Sequence, residues 1–288
     1  MARIVLVLKE PVFARGGLPA RLARRGDPTA GRLRGAHAEH GRTVAAVRRA
    51  LRARSLRWTE VAGHPLTGHA GRPIAAGDLV ISIGGDGTLL AASHHLGAGA
   101  LLGVNSAPGD SVGHFCACRR ADFPATLAAI LDGRLRPRLL ARLALRLDGR
   151  LLPEPALNDV LVAHPSPAAT TRYRLEVGGR VEEHRSSGLW ISTAAGSTAG
   201  IRSAGGRVMP RGSRRLQFRV RELLREPGRR YRLNRGFVPP RAALTVASKM
   251  PEGRLWIDGS RTAYPFPFGS RLVVSTDAPA LRIFASRP

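Results

Sequence analysis

An apolar, β-branched run at residues 79–83 ends in Gly84-Gly85-Asp86-Gly87-Thr88, and an apolar stretch of helical composition follows at 89–96. Strand, tight turn and helix start in direct succession leave few folds open. They place the turn at the carboxyl end of a buried strand in an α/β layer. That geometry aims backbone N–H groups at an anion. Glycine lets a phosphate approach the main chain where a Cβ would obstruct it. Asp86 is the unusual member. A carboxylate inside a phosphate cradle repels its ligand unless it meets a cation or takes a proton from an attacking hydroxyl. The combination points to phosphoryl transfer, and if nucleotide phosphate is bound the Gly84–Thr88 turn is the main candidate; a plain βα turn is the bland alternative. The chain has no G-x-x-x-x-G-K-[ST] sequence, and no G-x-G-x-x-G follows a strand.

The surrounding pattern extends the α/β reading. Residues 2–8 form a first apolar strand, residues 36–56 carry helical spacing through Val44, Val47, Ala50 and Leu51, and residues 58–62 read as a second strand. Residues 16–35 are Arg/Gly-rich and read as loop or a ragged helix start, and 64–77 are turn-rich. A helix is expected from Thr88, a buried strand at 100–104 ending at Asn105, and a helix at 121–131 closed by Gly133. Strand and helix alternate, so a parallel, Rossmann-like sheet is predicted, with Asn105 and the glycine turn at its ligand crevice.

The texture changes near Arg134. Short strand-like runs at 139–147, 157–163, 172–177, 189–193, 242–247, 254–257 and 271–274 are punctuated by Gly and Pro, which predicts an all-β, sandwich-like domain. The expected division is 1–133 for the α/β domain and 134–270 for the β domain. Residues 271–288 hold a last strand, at 280–285, returning to the first domain.

Two further clusters carry chemistry. Asn158-Asp159 interrupts an apolar strand, and two buried polar side chains there need partners. They are either a solvent-facing strand end or hydrogen-bonding groups for ligand hydroxyls and a base edge. The run from Ser187-Gly188 through Ser192-Thr193-Ala194-Ala195-Gly196-Ser197-Thr198 leads a strand into a helix expected near Ser197, where the hydroxyls cap the helix or bind phosphate or ribose.

Gly84–Thr88, Asn158-Asp159 and Ser192–Ala199, in this order, resemble the NAD kinase family across residues 80–259, with Trp256-Ile257-Asp258-Gly259 similar to its late aspartate-glycine strand. The stretches 156–165, 185–189, 192–199 and 203–206 look like the NADH kinase branch of plants and algae. The resemblance implies ATP-dependent phosphorylation of the adenosine ribose 2′-hydroxyl of NAD(H), with Mg²⁺ carried mainly on ATP phosphates. It implies Asp86 as general base, Gly84, Gly85, Gly87, Thr88 and Asn105 toward ATP, and Asn158, Asp159, Ser187, Thr193, Ala194, Ser197 and Thr198 toward the dinucleotide. It also implies a homodimer or larger homo-oligomer. Two places depart from the family. Ser187 stands where many members have aspartate, which removes a negative charge beside the nicotinamide end and fits a preference for the neutral, reduced ring. The glycine-rich continuation after Gly103-Val104-Asn105 is altered and runs through Pro108 to Gly113-His114-Phe115, where His114 has a ligand role or a structural one.

The formal net charge is +26, and all but Lys9 and Lys249 of the 46 basic residues are arginine. The arginines are dispersed along the chain, so a diffusely basic surface with anionic small-molecule substrates is expected, and no specific nucleic acid. The alternatives are a lipid kinase of the diacylglycerol or sphingosine type, which shares the glycine-aspartate turn, and a non-catalytic nucleic-acid binder. No apolar run reaches the ~20 residues of a membrane span. Cys116 and Cys118 read as small core residues in a reducing, intracellular compartment, with cytoplasm and organelle both open. The tail Ala285-Ser286-Arg287-Pro288 is a partial likeness to a peroxisomal tripeptide.

Overall fold

The structure, a computed structural model, describes residues 3–10, 18–62 and 74–285. Most of the turn-rich stretch 64–77 and the tail beyond Ala285 lie outside them. The chain divides into two compact units, Met1–Arg138 with Leu281–Pro288, and Leu139–Ala280.

The first unit contains β1 (Ile4–Leu8), α1 (Leu18–Arg24), α2 (Pro28–Arg52), β2 (Trp58–Ala62), β3 (Leu79–Gly84), α3 (Asp86–His94), β4 (Ala100–Asn105), β5 (Cys118–Arg119) and α4 (Phe123–Leu131). Its sheet runs β2-β1-β3-β4, every pair parallel. β3 and β4 are buried along their whole length, which is why they read as unbroken apolar runs and not as alternating ones. The strand order reverses between β1 and β3, and β3 delivers the glycine turn beside that switch. The register sets Gly84 opposite Asn105.

Helix α2 starts at Pro28, eight residues before the expected start. The reason lies at its first turn: Asp27 caps it by accepting the Thr29 N–H at 2.8 Å, and Pro28 suits the first helical position. Gly31 and Gly35, in the stretch expected as loop or a ragged helix start, lie within the helix, where burial of Ala30, Val44, Val47 and Leu51 outweighs their local cost. Val44, Val47 and Leu51 pack with Ile4, Leu6, Ile81, Ile83, Leu102, Phe123 and Leu127 in the first core. Cys118 joins that core and Cys116 is buried, both as free thiols. Burial pushes the two thiols up, to about 12 at Cys116 and about 11 at Cys118, so both stay protonated at neutral pH.

The second unit contains β6 (Arg138–Leu147), β7 (Arg150–Leu151), β8 (Asp159–Ala163), β9 (Thr171–Val177), β10 (Arg180–Ser186), β11 (Gly188–Ser192), a 3-10 turn (Ala195–Thr198), α5 (Gly200–Ser203), β12 (Leu216–Arg221), β13 (Arg235–Val238), β14 (Ala243–Ser248), β15 (Arg254–Ile257), β16 (Thr262–Pro265) and β17 (Arg271–Phe284). One antiparallel sheet runs β13-β12-β11-β8-β15-β16, and a second layer is formed by β10-β9-β14-β17 with β6. The β9–β10 turn holds Gly178 and Gly179 at φ of 55° and 75°, the left-handed pair that a two-residue hairpin requires. Val160, Val162, Leu189, Ile191 and Phe218 from the first sheet share one core with Leu143, Leu175, Leu244, Val246 and Leu272 from the second. This is a sandwich, as the alternating strands predict.

The last strand differs from its sequence reading. β17 runs unbroken from Arg271 to Phe284, where two separate strands were expected at 271–274 and 280–285. Its first half pairs with β14, and its end, Arg282–Phe284, which itself belongs to the first unit, pairs parallel with β4 there. Asp277 and Pro279 lie within this strand, between the segments that pair with β14 and β4, and β17 pairs with β6 as well.

Candidate functional site

The candidate residues form two clusters, one in each unit. In the first, Gly85 precedes α3 as its cap and Asp86 is the opening helical residue. The helix thus begins two residues before Thr88. A Cβ on Gly84 would collide with the Thr88 hydroxyl, and one on Gly85 with the Ser111 hydroxyl. Gly87 is exposed, with open space above it. The first two glycines therefore serve the protein's own packing, and Gly87 leaves the backbone open to an approaching ligand.

The Asp86 carboxylate is gripped at both oxygens: Oδ2 accepts the His114 N–H and Oδ1 the Phe115 N–H, each at 2.8 Å. The donors come from the segment after β4, and Asn105 shapes that segment. Its Nδ2 donates to Ser111 O at 2.9 Å, its Oδ1 accepts the Ala107 N–H at 3.2 Å, and Gly113 packs against it at φ 65°. Ser106 donates its N–H to Gly84 O at 3.0 Å, which ties the segment back to the glycine turn. Beneath it, His40 Nδ1 lies 3.0 Å from the Ser106 hydroxyl. Burial, helped by the Lys9 charge, lowers His40 to about 4, so the ring is neutral at pH 7. Asn105 thus spends its amide inside the protein. His114 contributes a main-chain N–H to Asp86 while its ring sits edge-on to Phe115.

In the second unit, Asn158 and Asp159 stand at the start of β8, and residues 192–197 wrap them. The Asn158 carbonyl accepts the Thr193 N–H at 3.0 Å and the Ser192 hydroxyl at 3.1 Å. Thr193 Oγ1 donates to Leu157 O and accepts the Gly196 N–H at 3.0 Å. A Cβ on Gly196 would stand 2.7 Å from Asn158 Cα and closer still to its carbonyl. Ser197 is buried, its hydroxyl donating to Ala194 O and accepting the Met209 N–H. Ala194 is buried beside it, and Thr198 is exposed at the end of the 3-10 turn. The helix expected near Ser197 begins instead at Gly200, after that 3-10 turn. Ser187 is half-buried between β10 and β11, donating its N–H to Arg221 O.

Asn158 Oδ1 is buried with no hydrogen-bond partner. Asp159 is 5% exposed, and burial first, then the charge of Asp258, pushes its carboxyl up to about 7. The folded state therefore favours the protonated form. The associated stability is present below the ordinary carboxylate value of 3.8 and is lost as pH rises toward 7. D159N removes that titration. Its stability relative to wild type is expected to rise by roughly 2–4 kcal/mol between pH 4 and pH 7.5, measured by urea unfolding, and a pH-independent difference would refute the buried-carboxyl account.

Asp258, expected only as part of the late aspartate-glycine strand, is a further member of this cluster: its carboxylate accepts the N–H groups of Leu157, Asn158 and Asp159 at 2.8, 2.7 and 3.0 Å. The available signal was an aspartate followed by glycine where a strand must turn.

The chain is 38% identical over 266 residues to the Oryza sativa subsp. japonica protein named "Probable NADH kinase", an alignment covering 85% of this chain and 81% of that one. The chain belongs to the NAD kinase family. Its fold is that of an NAD kinase from Archaeoglobus fulgidus solved in complex with ATP, at a TM-score of 0.68 and 17% identity over 98% of this chain and 93% of that one. Yeast NADH kinase solved with NADH matches at the same TM-score, with 15% identity over 99% of this chain and 84% of that one. No protein-family model matches this family member. Among its described residues no helix is long and apolar enough to cross a membrane, and no three His, Cys, Asp or Glu side chains come together to hold a metal ion.

Proposed function

We propose that the chain transfers the γ-phosphoryl group of ATP to the 2′-hydroxyl of the adenosine ribose of NADH or NAD⁺, with NADH preferred. The observation that carries this reading is Asp86, a carboxylate fixed through both oxygens by main-chain N–H groups at the edge of a glycine turn. Positioning and charge do most of the work in phosphoryl transfer. In the proposed step Asp86 accepts the proton of the 2′-hydroxyl as its oxygen bonds to the γ-phosphorus. The bond from that phosphorus to the β,γ-bridging oxygen breaks, and ADP leaves. The open backbone at Gly87 and the start of α3 face the nucleotide phosphates, with Gly84, Gly85 and Thr88 shaping the turn. Asn105 supports this cradle by holding the segment that grips Asp86.

Asn158, through its unpartnered Oδ1, and Asp159 take the dinucleotide's base and ribose, with Thr193, Ala194, Ser197 and Thr198 completing that side. Among the described residues no three carboxylate, His or Cys side chains gather to hold a cation, so Mg²⁺ would be carried chiefly by ATP oxygens, where it would neutralise charge on the transferred group. Ser187 in place of aspartate leaves the nicotinamide end without a carboxylate, which favours the uncharged dihydronicotinamide. The chain works as a homodimer or larger homo-oligomer, in a reducing compartment of the cell that suits its two free thiols.

A coupled assay with ATP and Mg²⁺, offering NAD⁺ and NADH separately, tests the reading. NADPH is expected to form faster than NADP⁺. Faster turnover of NAD⁺ would discard the account of Ser187, and no product from either would overturn the kinase assignment.

A further inference from the structure

We infer that Asp258 is the positioning residue that sets the Asn158-Asp159 pair for dinucleotide binding, with Arg142 a buried cation on the strand that borders the bracketed segment. The inference rests on the kinase reading above and adds to it a control of one substrate's affinity.

Three consecutive main-chain N–H groups, at Leu157, Asn158 and Asp159, converge on one carboxylate. Asp258 N–H returns a bond to Asp159 O at 2.9 Å, so the two strand ends are bracketed from both sides. No side-chain polar group of Asn158 or Asp159 is used in this bracket. It fixes their backbone and leaves Asn158 Oδ1 unpartnered. The arrangement also constrains Asp258 itself, which sits at φ 51°, in the left-handed region that side chains other than Asn and Asp rarely occupy. A cost of this kind persists where the surrounding bonds over-determine the backbone, and three N–H donors do so here.

Arg142 supplies the matching charge. It is among the largest fully buried side chains of the chain, 1% exposed, on β6. Its Nε donates to Pro279 O at 2.7 Å. The neighbouring residue of β6, Leu143, bridges Ala156 through bonds of 2.8 and 3.1 Å, which sets Arg142 beside the bracketed segment. Burial lowers the guanidinium to about 10 and the Asp258 charge acts against that, so Arg142 remains a cation at neutral pH. The field of this buried cation acts on the Asp258 carboxylate, so removing either charge changes the electrostatics of the bracket.

D258N is the sharpest probe. Asparagine tolerates the left-handed conformation, so the backbone is not newly strained, while one oxygen must then serve three donors and the negative charge is gone. The KM for NADH is expected to rise at least tenfold while the KM for ATP stays within twofold. Arg142→Met is expected to move the same constant in the same direction. The double variant should be no worse than the poorer single one, because both act on one element. A purely structural role would lower the melting temperature of both variants and leave the KM for NADH of the folded fraction unchanged, and that result overturns the inference. If D258N gives no folded protein, Arg142→Met carries the same test. A wild type inactive on both dinucleotides overturns the kinase reading, whereas an active wild type with unmoved constants in the variants overturns the positioning role alone.

Discussion

Asp86→Asn lowers kcat by roughly 10²- to 10⁴-fold, the range that a general base contributes. The substitution keeps the shape of the side chain and takes away its capacity to accept a proton. It also breaks the grip. With an amide NH₂ at one position, either His114 N–H or Phe115 N–H meets a donor where it met an acceptor. Leaving one of these groups unpaired costs about 1–3 kcal/mol, so a modest fall in melting temperature accompanies the loss of turnover. Asp86→Ala separates the two effects, because the small side chain lets water reach both N–H groups. It should be as inactive as D86N and closer to wild type in stability. Steady-state kinetics with NADH and ATP, alongside thermal melts, give the answer. A kcat within fivefold of wild type in both variants would remove Asp86 from the chemistry.

Gly196→Ala is the second large effect, and it acts on the other unit. The added methyl would overlap the Asn158 carbonyl, an oxygen already taken up by Thr193 N–H and the Ser192 hydroxyl. Backbone on both sides leaves no flexible side chain to yield, so the wrap around Asn158 must open. Overpacking of this kind costs typically 1–3 kcal/mol. At roughly 2–4 °C per kcal/mol for a domain of 150–250 residues, the melting temperature falls by several degrees. The KM for NADH rises with it, since Asn158 is displaced, while the KM for ATP is little changed. Gly87→Ala is the natural control. Nothing lies within 4 Å of its Cβ position and the residue is helical, so stability holds or improves slightly, and any loss shows at ATP. Equal stability of wild type and Gly196→Ala would contradict the close approach described here.

These two residues illustrate what was legible beforehand. Glycine followed by Ser-Thr after a strand marked residues 192–199 as a site, as the glycine turn marked residues 84–88, because unusual backbone demands leave their mark on residue type. The layers were equally legible. β3 and β4, buried on both faces, read as continuous apolar runs, whereas β9 and β14 alternate. Errors came where local composition and tertiary burial disagreed. Gly31 and Gly35 argued against a helix that the Asp27 cap and the buried stripe of α2 nevertheless establish. The two strands expected at 271–274 and 280–285 are one continuous β17.

The sequence by itself determined the class of each layer, the placement of the glycine turn at a strand end, and the three clusters that carry the family. Only the tertiary structure decided what holds those clusters in position: the N–H groups of His114 and Phe115 on Asp86, and those of residues 157–159 on Asp258. The physical reason is the nature of the donors. Every residue but proline carries the same backbone N–H, so a carboxylate bound by main chain from a distant segment leaves no trace in the identity of its partners. Periodicity records which face is buried, and folding alone brings a carboxylate at 258 against amides a hundred residues earlier.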